Sequence, residues 1–475
     1  MRLAARGILA VALAAVAAGA AAAPRRPNLV LIVTDDMDMA SLPYMPRVKA
    51  LLTDHGISFS NSFVSQPVCG PSRGSILTGR YAHNHGMLYN KPPNGGYKRF
   101  FEKGNESATL AVWLSAAGYR TAILGKYINR FPAKEDNAHV PAGWSDFFLT
   151  FFPEDYFDYK VNDAGRFVVY DDSPGDYQTD VLARKALAFI ASAASNREQP
   201  FFLYLAPFAP HRPATPHPRH AHALADVKAP RLPSFDEADV SDKPSWVRAQ
   251  PRLTPKAIAE LDERFRDRLR TLLAVDEMVE RLVQDLAARG LLDDTFIFFT
   301  SDNGFHFGAH RLDHGKADAY EESIRVPLVV RGPGVPAARS AEPLVANIDL
   351  APTLVELGGG SAPPAQVDGR SLAPWLLGAT PPAWRHDLLL ENWDSGRAKP
   401  DDRDEPDGGV PQYAGLRSDD SVYVEYPKGE RELYDLRRDP FELENAAARA
   451  DRQQLARLAL RLAALKSCSG EACRR

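Results

Sequence analysis

Asn28-Leu-Val-Leu-Ile-Val-Thr34, followed at once by Asp35-Asp36, is the stretch on which the fold turns. An apolar, β-branched run without polar alternation predicts a strand buried on both faces, the setting of a parallel sheet covered by helices. It stops at two adjacent acids. The pattern recurs: Tyr119-Arg-Thr-Ala-Ile-Leu-Gly125 stops at Lys126, and Pro200-Phe-Phe-Leu-Tyr-Leu-Ala206 is followed by His211. Thr295-Phe-Ile-Phe-Phe-Thr300 stops at Ser301-Asp302-Asn303-Gly304, and Val326-Pro-Leu-Val-Val330 reads as a fifth strand.

Helical patterns separate these runs, over 109–117, 179–194 and 255–289. In the longest, Thr254 fits the N-cap, Pro255 the first helical position and Gly290 the position past the end. Its residues Ile258, Leu261, Phe265, Leu269, Leu272, Val279, Leu282 and Leu286 form one apolar face. Strands alternating with helices predict an α/β fold, a large mainly parallel or mixed sheet sandwiched by helices, over residues 24–375. Such sheets bind ligands beyond the carboxyl ends of their strands, where these acids, amides and bases would converge. Residues 207–254, rich in Pro, His and Arg, are expected to be a long loop shaping a pocket. Beyond 375 the texture changes. Short strands are expected over 413–426 and 431–436 and an amphipathic helix over 444–465, giving a smaller C-terminal α+β domain, 376–475, with an antiparallel sheet.

The 475 residues carry 57 Lys+Arg against 61 Asp+Glu, a formal charge of −4. That balance excludes a generally basic nucleic-acid binder but not an anionic small substrate handled by local charges. Residues 1–23 hold Arg2 and Arg6, an apolar run and a small-residue cleavage site. They read as a signal peptide, with a membrane anchor as the alternative. The mature chain is expected to be exported, secreted or periplasmic (lysosomal in a eukaryote), with no membrane partner once the leader is removed. Export permits disulfides. Of the three cysteines, Cys468 and Cys473 are close enough to pair across Gly470, which leaves Cys69 alone.

Asp35, Asp36, Asp302 and Asn303 offer only oxygen ligands, the set a hard divalent cation prefers. Cys69-Gly-Pro-Ser-Arg73 leads into Gly74-Ser-Ile-Leu-Thr-Gly-Arg80. A cysteine entering a helix beside free backbone N–H groups suits either an activated thiolate or a buried, inert thiol. Three histidines at four-residue spacing, His306, His310 and His314, could suggest a zinc helix, but Gly304, Gly308 and Gly315 argue for a loop, so no second metal is expected.

The string Cys69-x-Pro71-Ser72-Arg73-x-x-x-Leu77-Thr78-Gly79-Arg80 resembles the signature of type I sulfatases, of the alkaline phosphatase-like superfamily. Asp35-Asp36, Gly125-Lys126, His211, Ser301-Asp302-Asn303-Gly304 and Gly315-Lys316 match its other landmarks in order. The resemblance implies that a formylglycine-generating enzyme oxidises Cys69 to formylglycine. One hydroxyl of the aldehyde hydrate would attack the sulfur of a sulfate monoester, and the second would expel sulfate by re-forming the aldehyde. It also implies Ca2+, rather than Mg2+, held by Asp35, Asp36, Asp302, Asn303 and residue 69. Arg73 would stabilise the hydrate, Lys126 and Lys316 would bind sulfate oxygens, and His211 would hold sulfate or move a proton. Asn129 and His306 are further candidates to face the substrate.

Many family members carry His two residues after the lysine, where this chain has Ile128. The general acid is therefore His211 or one of His306, His310 and His314. Gly125-Lys-Tyr-Ile-Asn129, His139-Val-Pro-Ala-Gly-Trp144, Val345-Ala-Asn-Ile-Asp-Leu350 and the Cys468–Cys473 region resemble N-acetylglucosamine-6-sulfatases. That similarity implies a sulfated carbohydrate substrate, 6-O-sulfated glucosamine of glycosaminoglycan-type chains. The alternatives are an arylsulfatase, a phosphonate or phosphate ester hydrolase on the same scaffold, or a non-catalytic secreted glycan-binding protein if Cys69 stays a thiol. Asn105-Glu-Ser107 is a formal glycosylation sequon.

Overall fold

The computed structural model describes residues 25–132, 138–360, 367–393 and 409–475. The leader assigned to 1–23 and most of the Asp-, Pro- and Gly-rich stretch 395–411 lie outside them.

Five parallel strands form the middle of a ten-stranded sheet, in the spatial order Thr295–Ser301, Asn28–Thr34, Phe201–Ala206, Arg120–Gly125 and Asp146–Thr150. On one side Leu328–Arg331 runs antiparallel to Thr295–Ser301 and is followed by Ile57–Phe59 and Arg339–Ala341. On the other, Lys160–Asp163 and Arg166–Val169 close the sheet antiparallel. The sheet is therefore mixed around a parallel centre. The expected fifth strand begins two residues late, after Pro327, which has no N–H to give a ladder.

All seven residues of Asn28–Thr34 are buried, because both faces are covered. Val30 and Ile32 pack with helices Gln178–Ala193 and Pro255–Ala288. Leu29, Leu31 and Val33 pack on the opposite side with Ile76, Leu114 and Leu354. The long helix is capped as its sequence dictates, Thr254 Oγ1 accepting the Ala257 N–H at 3.2 Å. Register aligns the strand ends. Thr34 stands opposite Ser301 and Gly125 opposite Ala206, so the polar residues that follow leave the sheet along one edge.

The C-terminal region carries its own four-stranded antiparallel sheet, Asp387–Asn392, Tyr413–Ser418, Ser421–Glu425 and Arg431–Asp435 in that order. The stretch 413–426 is thus a hairpin turning at Asp419-Asp420, and Asp387–Asn392 is a strand that sequence reading missed. The final helix is Arg452–Lys466, shorter than expected. Asn445 Oδ1 accepts the N–H groups of Leu433 and Ala447 at 3.0 Å each, which fastens the preceding chain to the sheet, and Asp451 caps the helix. Cys468 and Cys473 form the expected disulfide. Asn105 is buried and donates to the carbonyl oxygens of His85 and Phe100, so the sequon offers no accessible amide in the folded chain. No helix among the described residues is long and apolar enough to cross a membrane.

Candidate active site

Asp35 and Asp36 follow directly from the central strand. Asp36 takes a left-handed backbone, φ +68°, and its N–H donates to Asp302 Oδ1 at 3.0 Å. The Asp302 N–H donates back to the Thr34 carbonyl at 3.1 Å, so the two strand ends are stitched together. Lys126 arrives through Gly125, whose φ is +105° and where an added Cβ would stand 2.1 Å from the Ala206 carbonyl oxygen. Only glycine permits that bend. Cys69 is the first residue of the wholly buried helix Cys69–Thr78, and the Gly70 N–H is held by Asn90 Oδ1 at 2.7 Å.

The side chains converge. Cys69 Sγ lies 3.3 Å from Asp35 Oδ1, 3.5 Å from Asp36 Oδ1 and 2.7 Å from Lys316 Nζ. Lys126 Nζ pairs with Asp35 Oδ2 at 2.6 Å, and Lys316 donates to Asp36 Oδ1. Arg73 Nε donates to Asp302 Oδ2 at 2.8 Å, its Nη1 to the Lys126 carbonyl at 3.0 Å, and its Nη2 stands 3.7 Å from Asp35. Asn303 Nδ2 donates to Asp36 Oδ1 at 2.8 Å. His211 Nε2 lies 3.7 Å from Asp36 Oδ2, while Nδ1 faces the Arg212 carbonyl at 2.7 Å and so carries the proton.

Donor atoms of Asp35, Asp36, Cys69 and His211 all lie within 4.8 Å of one another. Asp36 Oδ2 and Asn303 Oδ1 are buried without a hydrogen-bond partner. Orphaned oxygens among carboxylates are what a bound hard cation would satisfy, so the residues fit such an ion.

Burial sets the electrostatics. It pushes the Asp36 carboxyl up, but the ammonium of Lys316, with His211 and Arg268, more than offsets this and holds it well below the usual range. Burial, reinforced by the charge of Asp35, raises Asp302 to about 6. Burial and the neighbouring Asp35 and Asp36 push the Cys69 thiol well above its ordinary value. Burial lowers His211 by more than Asp36 restores. Burial and the two carboxylates thus disfavour a thiolate at this position, while the Lys316 ammonium beside Sγ opposes them.

A cavity of about 280 Å³ opens here, lined by Lys126, Asn129, Glu154, His211 and Arg212 among others. Asn129 lies in it, and its Oδ1 is buried without a partner. His306 does not line it. It pairs with Asp318 at 3.0 Å and lines a different cavity, while His310 faces Glu237 and His314 faces Asp313. The loop reading of the three histidines is correct, and only His211 faces the carboxylates. Arg268 was missed by sequence reading. It is 2 % exposed, donates to the Asp36 carbonyl and lies over the Phe305 ring at 4.1 Å. The signal was present: Arg268 falls three residues after Phe265 and four before Leu272, a charge on the apolar face of the long helix.

This fold and this site define an alkaline phosphatase-like hydrolase. Residues 27–360 match the sulfatase family model, and residues 308–467 match that of the C-terminal region of N-sulphoglucosamine sulphohydrolase. The chain is 38% identical over 483 residues to an N-acetylglucosamine-6-sulfatase of Homo sapiens, spanning 96% of this chain and 87% of that protein. It is 35% identical over 508 residues to an arylsulfatase of Volvox carteri, spanning 96% and 76%. A solved structure described as a complex with D-glucosamine-2-N,6-O-disulfate superposes with a TM-score of 0.78 at 25% identity, over 92% of this chain and 97% of that one. The chain belongs to the sulfatase family and is a sulfuric ester hydrolase.

Proposed function

We propose that this sulfatase is exported and removes 6-O-sulfate from N-acetylglucosamine or glucosamine units of glycosaminoglycan-type chains. It would use a formylglycine made from Cys69 by a formylglycine-generating enzyme, and a Ca2+ ion held by Asp35, Asp36, Asp302 and Asn303. The observation that carries the reading is the placing of Cys69 Sγ, at the start of a buried helix, between two carboxylates and the Lys316 ammonium, where a group on residue 69 would meet both a cation held by the acids and the lysine that faces the sulfate. When bound, the cation would lower the cost of ionising a hydroxyl at residue 69 and neutralise sulfate oxygens. Sγ occupies the position that the hydrate oxygens of a modified residue 69 would take.

The chain's own residues supply the rest. Lys126 and Lys316, both reaching the site through buried stems, donate to the sulfate oxygens as negative charge grows on them. Arg73, locked to Asp302 and to the Lys126 carbonyl, fixes the end of the helix that presents residue 69. His211, with Nδ1–H committed to a carbonyl, presents the lone pair of Nε2 to the reacting group, where it can accept the proton of the attacking hydroxyl on residue 69 and return it to the leaving oxygen. Arg212 favours an anionic sugar, since its Nε and Nη2 are buried without a hydrogen-bond partner beside the same cavity. The relatives named for N-acetylglucosamine 6-sulfate and the structure holding a glucosamine disulfate support this substrate class.

The test combines a substrate panel with a mass. Glucosamine 6-sulfate, an aryl sulfate and a phosphodiester are compared by kcat/KM, and the mass of the peptide carrying residue 69 is measured in native material. The expected result is an aldehyde mass, preference for the 6-sulfated sugar and complete loss of turnover in Cys69→Ala with the fold retained. An unmodified thiol in active protein, or activity in Cys69→Ala, rejects the mechanism, and preference for another ester rejects the substrate.

A further inference from the structure

We propose that His310, Glu322 and Glu442 form a second divalent-metal site, suited to a transition-series ion of the Zn2+ class, that ties the loop after Asn303 to the C-terminal region. One donor atom from each of these residues lies within 4.8 Å of the other two, and none of the three belongs to the Asp35–Asp36–Cys69–His211 group. His310 is 0% and Glu442 1% exposed.

The imidazole is set as a ligand would be. His310 Nδ1 lies 2.7 Å from Glu237 Oε2, so its proton is donated to that carboxylate and the lone pair is left on Nε2. A carboxylate on the far nitrogen is the usual support of a metal-binding histidine. The ring is further held by stacking on Tyr320, centroids 4.0 Å apart. Nε2 has no hydrogen-bond partner, and neither has Glu442 Oε1. The other oxygen of Glu442 accepts the Glu321 N–H at 3.0 Å, and Glu322 Oε1 accepts Ser234 Oγ at 3.2 Å. The acids are thus positioned, yet each keeps an acceptor to spare.

Their charge is only partly offset by protein cations, the Lys243 ammonium being the one that acts on Glu442 against its burial. Among the described residues no lysine or arginine pairs with the carboxylate of Glu322 or Glu442. Arg417 and Arg325 serve Glu321, and Lys243 faces Glu237 at 3.7 Å and donates to the Glu442 carbonyl. Two anionic carboxylates beside a neutral imidazole balance a dication, and one nitrogen with carboxylate oxygens suits a borderline ion better than Ca2+. A cavity of about 320 Å³, lined by Glu322, Glu442 and Ser234, gives the ion a way in. The histidine spacing in the sequence hid this, because the partners of His310 are acids from two other segments, not His306 and His314.

The test uses the full mature protein, stripped with a chelator and returned to excess Ca2+ to occupy the oxygen-rich site, then titrated with Co2+ as a visible probe. The expected result is one equivalent of Co2+ with d–d absorption that excess Ca2+ does not displace. Affinity should fall at least tenfold in Glu322→Gln and in His310→Ala, and Zn2+ should raise the melting temperature of the wild type but not of Glu322→Gln. Glu322→Gln is close in shape and keeps the test valid if His310→Ala fails to fold. No bound Co2+ in excess Ca2+, the result if the two acids merely share a proton, overturns the proposal, as does equal binding by wild type and Glu322→Gln.

Discussion

Replacing Lys126 by alanine separates its observed pairing with Asp35 from its proposed role toward the sulfate. Its Nζ lies 2.6 Å from Asp35 Oδ2, with the two side chains 1% and 0% exposed, and sits over the Phe208 ring at 5.6 Å. Without a cation in the site, truncation leaves Asp35 with Arg73 Nη2 at 3.7 Å as its remaining positive neighbour. Breaking a buried pair by removing one partner costs about 3–5 kcal/mol. With Ca2+ saturating, the proposed ion would give Asp35 another counter-charge, and the same truncation should cost only a fraction of that. Loss of a preorganised donor to a developing oxyanion should lower kcat by about 10²–10³-fold whether or not stability recovers. Urea unfolding of wild type and Lys126→Ala, each with chelator and with excess Ca2+, reads the first role, and steady-state desulfation in Ca2+ reads the second. Equal destabilisation under both conditions would mean that the cation does not reside on Asp35. A fall in kcat smaller than tenfold would mean that Lys126 does not touch the reacting group.

Three further outcomes follow from buried partners elsewhere. Arg268→Met keeps the bulk over Phe305 but leaves the Asp36 carbonyl without its donor, and should cost about 1–3 kcal/mol in urea unfolding. The Cys468–Cys473 disulfide closes a loop of separation 5, so the double serine variant should lose about 2 kcal/mol, read as the difference between oxidised wild type and variant. His83 faces two acceptors, Glu391 at 3.2 Å and the Cys468 carbonyl at 3.0 Å, and although burial opposes it, the Glu391 carboxylate raises its pKa. Its stabilising contribution should be fully present below the unfolded value near about 6.5 and vanish as pH rises through the folded value. His83→Gln should abolish that slope between the two values, and an unchanged slope would reject the assignment.

Much of the sheet was legible because burial on both faces leaves an unmistakable mark, as in Asn28–Thr34 and Thr295–Ser301. Strands that are short or on an edge left none. Arg166–Val169 has two exposed apolar residues and Ile57–Phe59 is three residues long, so neither carries a period to read. The site residues were legible where they end a strand or sit in the Cys69 signature, since position along the chain then fixes position in space. His306 and His310 were not, because their partners, Asp318 and Glu237, are chosen by how a long loop folds back. Arg268 sits between these cases: its helix was plain, and only its place on the apolar face betrayed it.

The charges of the site bear on which ester it serves. Asp35, Asp36 and Asp302 are matched in ion pairs by Arg73, Lys126 and Lys316, all buried, and buried Arg268 adds a further positive charge near Asp36. A bound dication would leave the site with an excess of at least two positive charges. A sulfate monoester brings one negative charge, keeps it on transfer to residue 69 and leaves as a dianion when the aldehyde re-forms, so the match improves toward the release step. A phosphate monoester is already close to a dianion at neutral pH and meets its best match in the ground state. Interactions equally strong in both states tighten binding without raising kcat, whereas those that grow toward the transition state accelerate the reaction. On the proposed mechanism the constellation that holds residue 69 should therefore turn over sulfate esters in preference to phosphate monoesters, a distinction that would lie in the count of buried charges and not in the shape of the cavity.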